Sequence, residues 1–167
     1  MRVISGIYKG RKLKSPPKSA NVRPTTDRVK ETLFNILANR VDFEELKILD
    51  LFSGTGAFGI ECLSRGSVDV TFVDKDIRLT KENLELVKAP ECSVIKGDAI
   101  SFLKNADDTY DIIFADPPYD FDSYENLIQE AVRSTKLFVL EHSSKTAFED
   151  ASLRKDFGDT SISFFTN

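Results

Sequence analysis

Cysteine is scarce in this 167-residue chain, with only Cys62 and Cys92 and no paired spacing between them. That excludes a disulfide framework and a cysteine-based zinc site. Neither follows a proline, the setting in which a thiolate attacks a pyrimidine carbon, so covalent chemistry of that kind is set aside. Cys62, inside a helix after Glu61, reads as a core residue. Histidine is scarcer still. His142 closes a strand after Leu140-Glu141 and reads as a surface or capping residue rather than a substrate contact. Asp107, Asp108, Asp120 and Asp122 read as loop acids, and no metal cluster is expected. No apolar run approaches the roughly 20 residues that cross a bilayer. The opening Met1-Arg2-Val3-Ile4-Ser5-Gly6 lacks the apolar stretch of a secretory leader, and a cytoplasmic protein is expected. Internal repeats and low-complexity tracts are absent. Acids are nearly missing from residues 1–40, where Asp27 and Glu31 face ten lysines and arginines. The other 127 residues carry 25 acids and 13 bases, so a basic lobe sits on an acidic body. A phosphate backbone suits that lobe, although charge alone fits a solvated face equally well.

What remains is an ordinary globular composition, 41% hydrophobic and 30% charged, of one-domain length. Val3–Tyr8 and Arg11–Lys14 around Lys9-Gly10 predict a small hairpin with a tight turn. The breakers Pro16-Pro17 and Pro24 precede a helix capped by Thr25, Thr26 or Asp27 and running to about Asn39. Val29, Leu33, Ile36 and Leu37 form its apolar face, with Arg28 and Lys30 elsewhere on its surface. From residue 47 strands and helices alternate. Strands are predicted at Lys47–Phe52, Val68–Val73, Ser93–Lys96, Asp111–Ala115 and Lys136–Glu141, and helices at Ala57–Arg65, Asp76–Lys88, Ala99–Asn105 and Ser123–Ser134. A terminal hairpin pairs Leu153–Phe157 with Ser161–Phe165. The pattern predicts a seven-stranded, mostly parallel α/β sheet with helices on both faces. Residues 1–45 form a basic extension and 46–167 the core of a single domain.

Ligands of such sheets bind at the carboxyl ends of the strands, and the chemistry-bearing residues fall there. Asp50-Leu51-Phe52-Ser53-Gly54-Thr55-Gly56 closes the first strand, and Gly54, Gly56 and Gly59 fit G-x-G-x-x-G. Asp74 ends the second strand, where it can accept both hydroxyls of a ribose. Dinucleotide and S-adenosylmethionine binders share this arrangement. Asp50 favours the second, because a carboxylate there repels a pyrophosphate but suits the ammonium of a methionine moiety. Asp98 is placed to accept from an adenine amino group, while Phe52, Lys75 and Ala99 wall the pocket.

Asp116-Pro117-Pro118-Tyr119 follows the fourth strand. A ring-conjugated amino nitrogen is a poor nucleophile, and acceptors such as the Asp116 carboxylate and Pro117 carbonyl bind its hydrogens as positive charge develops. Pro117 and Pro118 remove backbone donors and stiffen the loop. Tyr119 can stack on the base, which must be flipped out or already unpaired.

These motifs resemble class I S-adenosylmethionine-dependent methyltransferases that modify exocyclic amines. More closely, the chain resembles the bacterial RsmD-type 16S ribosomal RNA (guanine-N(2))-methyltransferase family. Arg2-Val3-Ile4-Ser5-Gly6, Gly10-Arg11-Lys12-Leu13 and, most distinctively, Arg23-Pro24-Thr25-Thr26-Asp27-Arg28-Val29-Lys30-Glu31-Thr32-Leu33-Phe34-Asn35 carry the likeness. Asp74 stands where the family often has glutamate. The resemblance implies a Rossmann-like fold and methylation of a guanine amino group in 16S ribosomal RNA or the small subunit; oligomeric state is open, with a monomer as the default expectation. The resemblance also implies that Arg23, Thr25, Thr26 and Asn35 line the cofactor or base pocket. Arg2, Lys9, Arg11, Lys12, Lys14 and Arg28, with Arg23, Thr25 and Thr26, are the expected RNA contacts. A DNA adenine methylase, a non-catalytic RNA-binding assembly factor and an NAD-dependent oxidoreductase are the competing readings. Small size, intact Asp116 and Tyr119, and Asp50 count against them in turn.

Overall fold

The computed structural model describes residues 1–17 and 25–167. Helix α1, Asp27–Ala38, starts where Thr26 turns extended and its hydroxyl accepts from Val29 N at 3.3 Å. Strand β1, Lys47–Leu51, leads to α2, Ala57–Ser64, then β2, Asp69–Asp74, and α3, Arg78–Val87. Next come β3, Ser93–Lys96, α4, Ala99–Asn105, β4, Tyr110–Ala115, and α5, Tyr124–Ser134. The chain closes with β5, Thr135–Ser143, β6, Leu153–Phe157, and β7, Thr160–Thr166. One seven-stranded sheet results, in the order β3-β2-β1-β4-β5-β7-β6, with β7 antiparallel to both its neighbours. The strand order reverses between β1 and β4.

Alternate strand residues build two cores. Ile48, Phe72, Ile112, Phe114 and Val139 pack under α1 and α2, while Leu49, Leu51, Ile113, Phe138 and Leu140 pack under α4 and α5. Fully buried central strands explain their nearly unbroken apolar runs. Most boundaries lie within two residues of expectation, for local reasons. β1 stops at Leu51 because Phe52 takes φ +54°, a left-handed conformation that costs a non-glycine residue about 1–3 kcal/mol. α3 begins at Arg78 rather than Asp76 because the Asp76 carboxylate accepts from Arg78 N at 3.1 Å.

Two expectations fail. The N-terminal hairpin keeps its tight turn, with Arg11 N donating to Tyr8 O at 3.1 Å around Lys9-Gly10 and Gly10 at φ +83°, but its ladder reduces to a single bridge, Arg2 to Lys12. Between them the chain bends onto α2. Ile4 N and Ser5 N donate to Glu61 at 2.9 and 3.0 Å, and Ile7 N donates to Ser64 O at 2.9 Å. Gly6 permits this approach with φ +82°, and a Cβ there would fall 1.7 Å from Ser64 O. Lys30, expected on the surface, is instead 3% exposed, with Nζ 3.0 Å from Glu61 Oε2 and donating to Arg2 O at 2.8 Å. Val3, Tyr8 and Leu13 join the core beneath α1.

Candidate active site

At the carboxyl ends of β1, β2 and β4 lies a cleft of about 840 Å³. Asp50, Phe52, Gly54, Thr55, Asp74, Lys75, Asp98 and Ala99 all line it, as do Asp116 and Pro118. The structure thus brings together two groups that the sequence separates by some sixty residues. Gly56 is the exception. It is buried as the left-handed N-cap of α2, and a Cβ there would press on Thr80 Cγ2 at 3.2 Å. Its glycine is required by packing, and it does not line the cleft.

The glycine turn is held from outside itself. Thr80 Oγ1 donates to Gly54 O at 2.9 Å, and Asn83 Nδ2 donates to Thr55 O at 2.9 Å. Asn83 also exchanges hydrogen bonds with the backbone of Lys14, tying the N-terminal segment to the same turn. Met1, Ser15, Pro16 and Pro17 consequently form part of the cleft wall. No local motif announces these four, because a helix residue 69 positions from Lys14 sets their place.

The acids differ in their surroundings. Asp50 is 1% exposed, and its Oδ2 accepts from Gly59 N at 3.0 Å. Burial pushes its carboxyl well above the usual carboxylate range; the Gly59 hydrogen bond works against this and the Asp74 charge adds to it. Asp74 accepts from Gly54 N at 2.9 Å and Asp76 N at 2.8 Å. Asp98 caps α4, accepting from Ser101 N at 2.9 Å, which holds its carboxyl below the usual range. Burial also pushes Asp116 well above that range, with Glu141 and then Asp50 adding to the effect.

Beyond Asp116 lies a second cavity of about 40 Å³, shared by Pro117, Tyr119, Tyr124, Glu141, His142 and others. Tyr119 is 59% exposed at its rim. An edge-to-face aromatic series, Phe52 to Phe121 at 5.3 Å and Phe121 to Tyr124 at 5.1 Å, joins the two spaces. His142 is neither surface nor cap. It is 5% exposed, its ring nitrogens lie 2.8 Å from Ser143 O and 2.8 Å from Ser163 Oγ, and burial pushes its pKa down.

Of the expected RNA contacts, Thr25 faces the cleft, with Oγ1 3.2 and 3.1 Å from the two Glu141 oxygens. Thr26 is the α1 N-cap. Arg28 is exposed, and so is Asn35, which does not line the cleft. Arg23 lies outside the described residues. Arg2 pairs with Asp27 at 3.5 Å, Lys14 with Glu82 at 3.0 Å, and Arg11 donates to Leu86 O at 3.3 Å. Lys9 and Lys12 are exposed and form no ion pair among the described residues. Among those residues no helix is long and apolar enough to cross a membrane, and no metal-binding cluster forms.

Strand order, glycine turn and acids at the reversal point define a Rossmann-like fold of the class I methyltransferase type. Solved structures agree. A Thermus thermophilus hypothetical protein, TTHA0928, superposes with a TM-score of 0.88 at 27% identity, covering 100% of this chain and 99% of that one. An Escherichia coli protein provisionally named methyltransferase yhhF superposes with a TM-score of 0.83 at 32% identity, covering 99% and 97%. The chain belongs to the family described as conserved hypothetical protein 95, whose profile matches residues 1–166, and this is the RsmD-type family. It is 41% identical over 122 residues to Escherichia coli ribosomal RNA small subunit methyltransferase D. That match takes in 71% of this chain and spans 60% of the relative's length.

Proposed function

We propose that this protein transfers a methyl group from S-adenosylmethionine to the N2 amino group of a guanine in 16S ribosomal RNA. The single observation carrying this reading is the shared cleft, in which a cofactor-type acid set and Asp116 face the same space. The residues suit the cofactor. The cleft lies within the roughly 300–1,000 Å³ typical of small-molecule sites. Gly54 takes φ +52°, and a Cβ placed on it would have no neighbour closer than 3.9 Å, so a ligand can approach its backbone. Asp50 is a buried carboxylate with no ion-pair partner among the described lysines and arginines, which suits an incoming ammonium. Asp74 would take the ribose hydroxyls, Asp98 the adenine amino group, and Phe52, Thr55, Lys75 and Ala99 the walls.

S-adenosylmethionine, when bound, would supply an electrophilic methyl on a sulfonium and leave as S-adenosylhomocysteine, the methylated nitrogen giving up one proton to water. The chain's residues then act on the base. Asp116 and the Pro117 carbonyl accept the amino hydrogens, concentrating the nitrogen lone pair and stabilising the positive charge that grows on it. Pro118 stiffens the loop, and Tyr119 stacks on an unstacked base, worth about 1–3 kcal/mol. Residues 1–45 act as the RNA-facing extension of the single domain and 46–167 as its catalytic core. Arg2, Lys9, Arg11, Lys12, Lys14, Arg23 and Arg28 meet phosphates, Thr25 and Thr26 serve this interface through α1, and a monomer acts in the cytoplasm. The names of the relatives support an RNA substrate, and the chemistry of Asp116 supports an amino target.

The test is methyl incorporation from labelled cofactor into small subunits, naked ribosomal RNA and duplex DNA. N2-methylguanine in the ribosomal substrates alone is expected. Methyladenine in DNA would overturn the reading.

A further inference from the structure

Nothing in the sequence distinguishes Glu141 from the chain's other acids, yet it occupies the heart of the site. It is 6% exposed and lines both cavities, as Asp116 does. The sheet makes them neighbours. β4 and β5 run parallel with Ala115 opposite Leu140, so the next residue along each strand brings Asp116 beside Glu141. Paired residues share a face, and Asp50, opposite Phe114, sits on the same one two positions back. The charge of Glu141 is the largest electrostatic influence on Asp116 after burial itself. The Thr25 hydroxyl lies 3.2 and 3.1 Å from the two Glu141 carboxylate oxygens.

Two adjacent acceptors select among the bases. Guanine carries a ring N1–H beside its amino group, so that edge offers adjacent donors. Adenine has a bare N1 beside its amino group and cytosine a bare N3, each a lone pair that a carboxylate repels. A site with Asp116 alone accepts any of the three amines. Resting on the methyl-transfer reading above, we propose that Glu141 is the specificity residue. It accepts guanine N1–H while Asp116 accepts the N2 amino hydrogens, and it turns adenine and cytosine away. The docking of Thr25 on Glu141 then gives the N-terminal segment a part in base choice, because α1 steadies the reading carboxylate.

The experiment compares wild type, Glu141→Gln and Glu141→Asp on small subunits from cells lacking the protein. The methylated guanine is first mapped by mass spectrometry, and a second substrate is reconstituted with adenine at that position. The isosteric Gln keeps an oxygen for Thr25 but can turn an amide N–H toward a bare ring nitrogen. Its guanine-to-adenine ratio in kcat/KM is expected to fall at least about tenfold. Cofactor affinity by calorimetry should stay within about twofold of wild type, showing an intact fold. Asp, which keeps the charge, should retain the guanine preference at a lower rate. An unchanged ratio in Gln, or an equal loss in Gln and Asp, would overturn the assignment. Absence of methylguanine with the wild type would instead overturn the methyl-transfer reading on which it rests.

Discussion

Glu61 and Asp50 are both carboxylates removed almost wholly from water, 0% and 1% exposed, and the protein treats them in opposite ways. Glu61 receives two backbone amides from the N-terminal segment and ion pairs from Lys30 and Arg65, each at 3.0 Å. Asp50 receives Gly59 N and no described cation, and its carboxyl is pushed up by burial. A buried charge is tolerable when its partners are built in. Glu61 is therefore a structural knot binding α1, α2 and the first residues into one unit. Asp50 is left for a partner that comes from outside, and Asp116, also raised by burial, stands with Asp50. The cost of burying a carboxylate without a described countercharge is concentrated at the cleft and absent from the knot.

The difference predicts opposite results from the same kind of substitution. Glu61→Gln should cost on the order of 3–5 kcal/mol in urea unfolding, because Lys30 stays buried without its countercharge. Cofactor affinity per folded molecule should hardly move, and a stable Gln variant would remove Glu61 from its structural role. Asp116→Asn should leave stability at neutral pH unharmed while turnover drops on the order of a hundredfold to a thousandfold, with cofactor binding intact. Wild-type turnover would class Asp116 with Glu61. Because burial raises the Asp116 carboxyl, wild-type turnover should also fall with decreasing pH before the ordinary carboxylate range of about 4 is reached.

Asp50→Asn sharpens the contrast through pH. Above about pH 4 an unfolded chain has released this proton, whereas the folded chain keeps it up to the raised value. The folded state then binds more protons, so this group's contribution is full below about pH 4 and is lost as pH rises through the folded value. The Asn variant lacks that loss. Without cofactor its melting temperature should gain on wild type as pH rises above about 4. Its affinity for S-adenosylmethionine should fall roughly a hundredfold, or about 2–3 kcal/mol. Melting curves that keep a constant separation across pH would show that Asp50 is not held protonated.

The legible parts of this molecule are those written in contiguous residues. Asp116 to Tyr119 and Asp50 to Gly56 declare themselves because each motif is a strand end and its turn. The alternation of apolar strands with helices carries the sheet. Glu141 is invisible there because what distinguishes it is the β4–β5 register, a pairing between segments that no local pattern encodes. His142 escapes for a related reason. β7 pairs with β5 as far as Ser143 and Thr160, extending the strand through a polar stretch that periodicity would end. Lys30 reads as a surface residue because its reason for burial, Glu61, lies a helix and a strand away. Gly56 has the right residue type for a cofactor turn and a different cause, the close packing of Thr80 and Phe72.

The same division between engaged and available charge applies to the cations of the N-terminal segment. Lys14 and Arg2 are engaged with Glu82 and Asp27, while Lys9 and Lys12 extend from the docked loop without an ion pair among the described residues. Exposed pairs of this kind are weak, but a neighbouring carboxylate also repels an approaching phosphate. Lys9→Glu with Lys12→Glu should therefore weaken binding to small-subunit RNA about tenfold and lower the slope of log affinity against log salt by about two. Lys14→Glu should do less, although it carries the same nominal charge change per site. Filter binding across a salt series decides the matter. Equal slopes for Lys14 and the Lys9 and Lys12 pair would mean that RNA strips the surface ion pairs on arrival, and that only the buried charges keep the distinction between engaged and available groups.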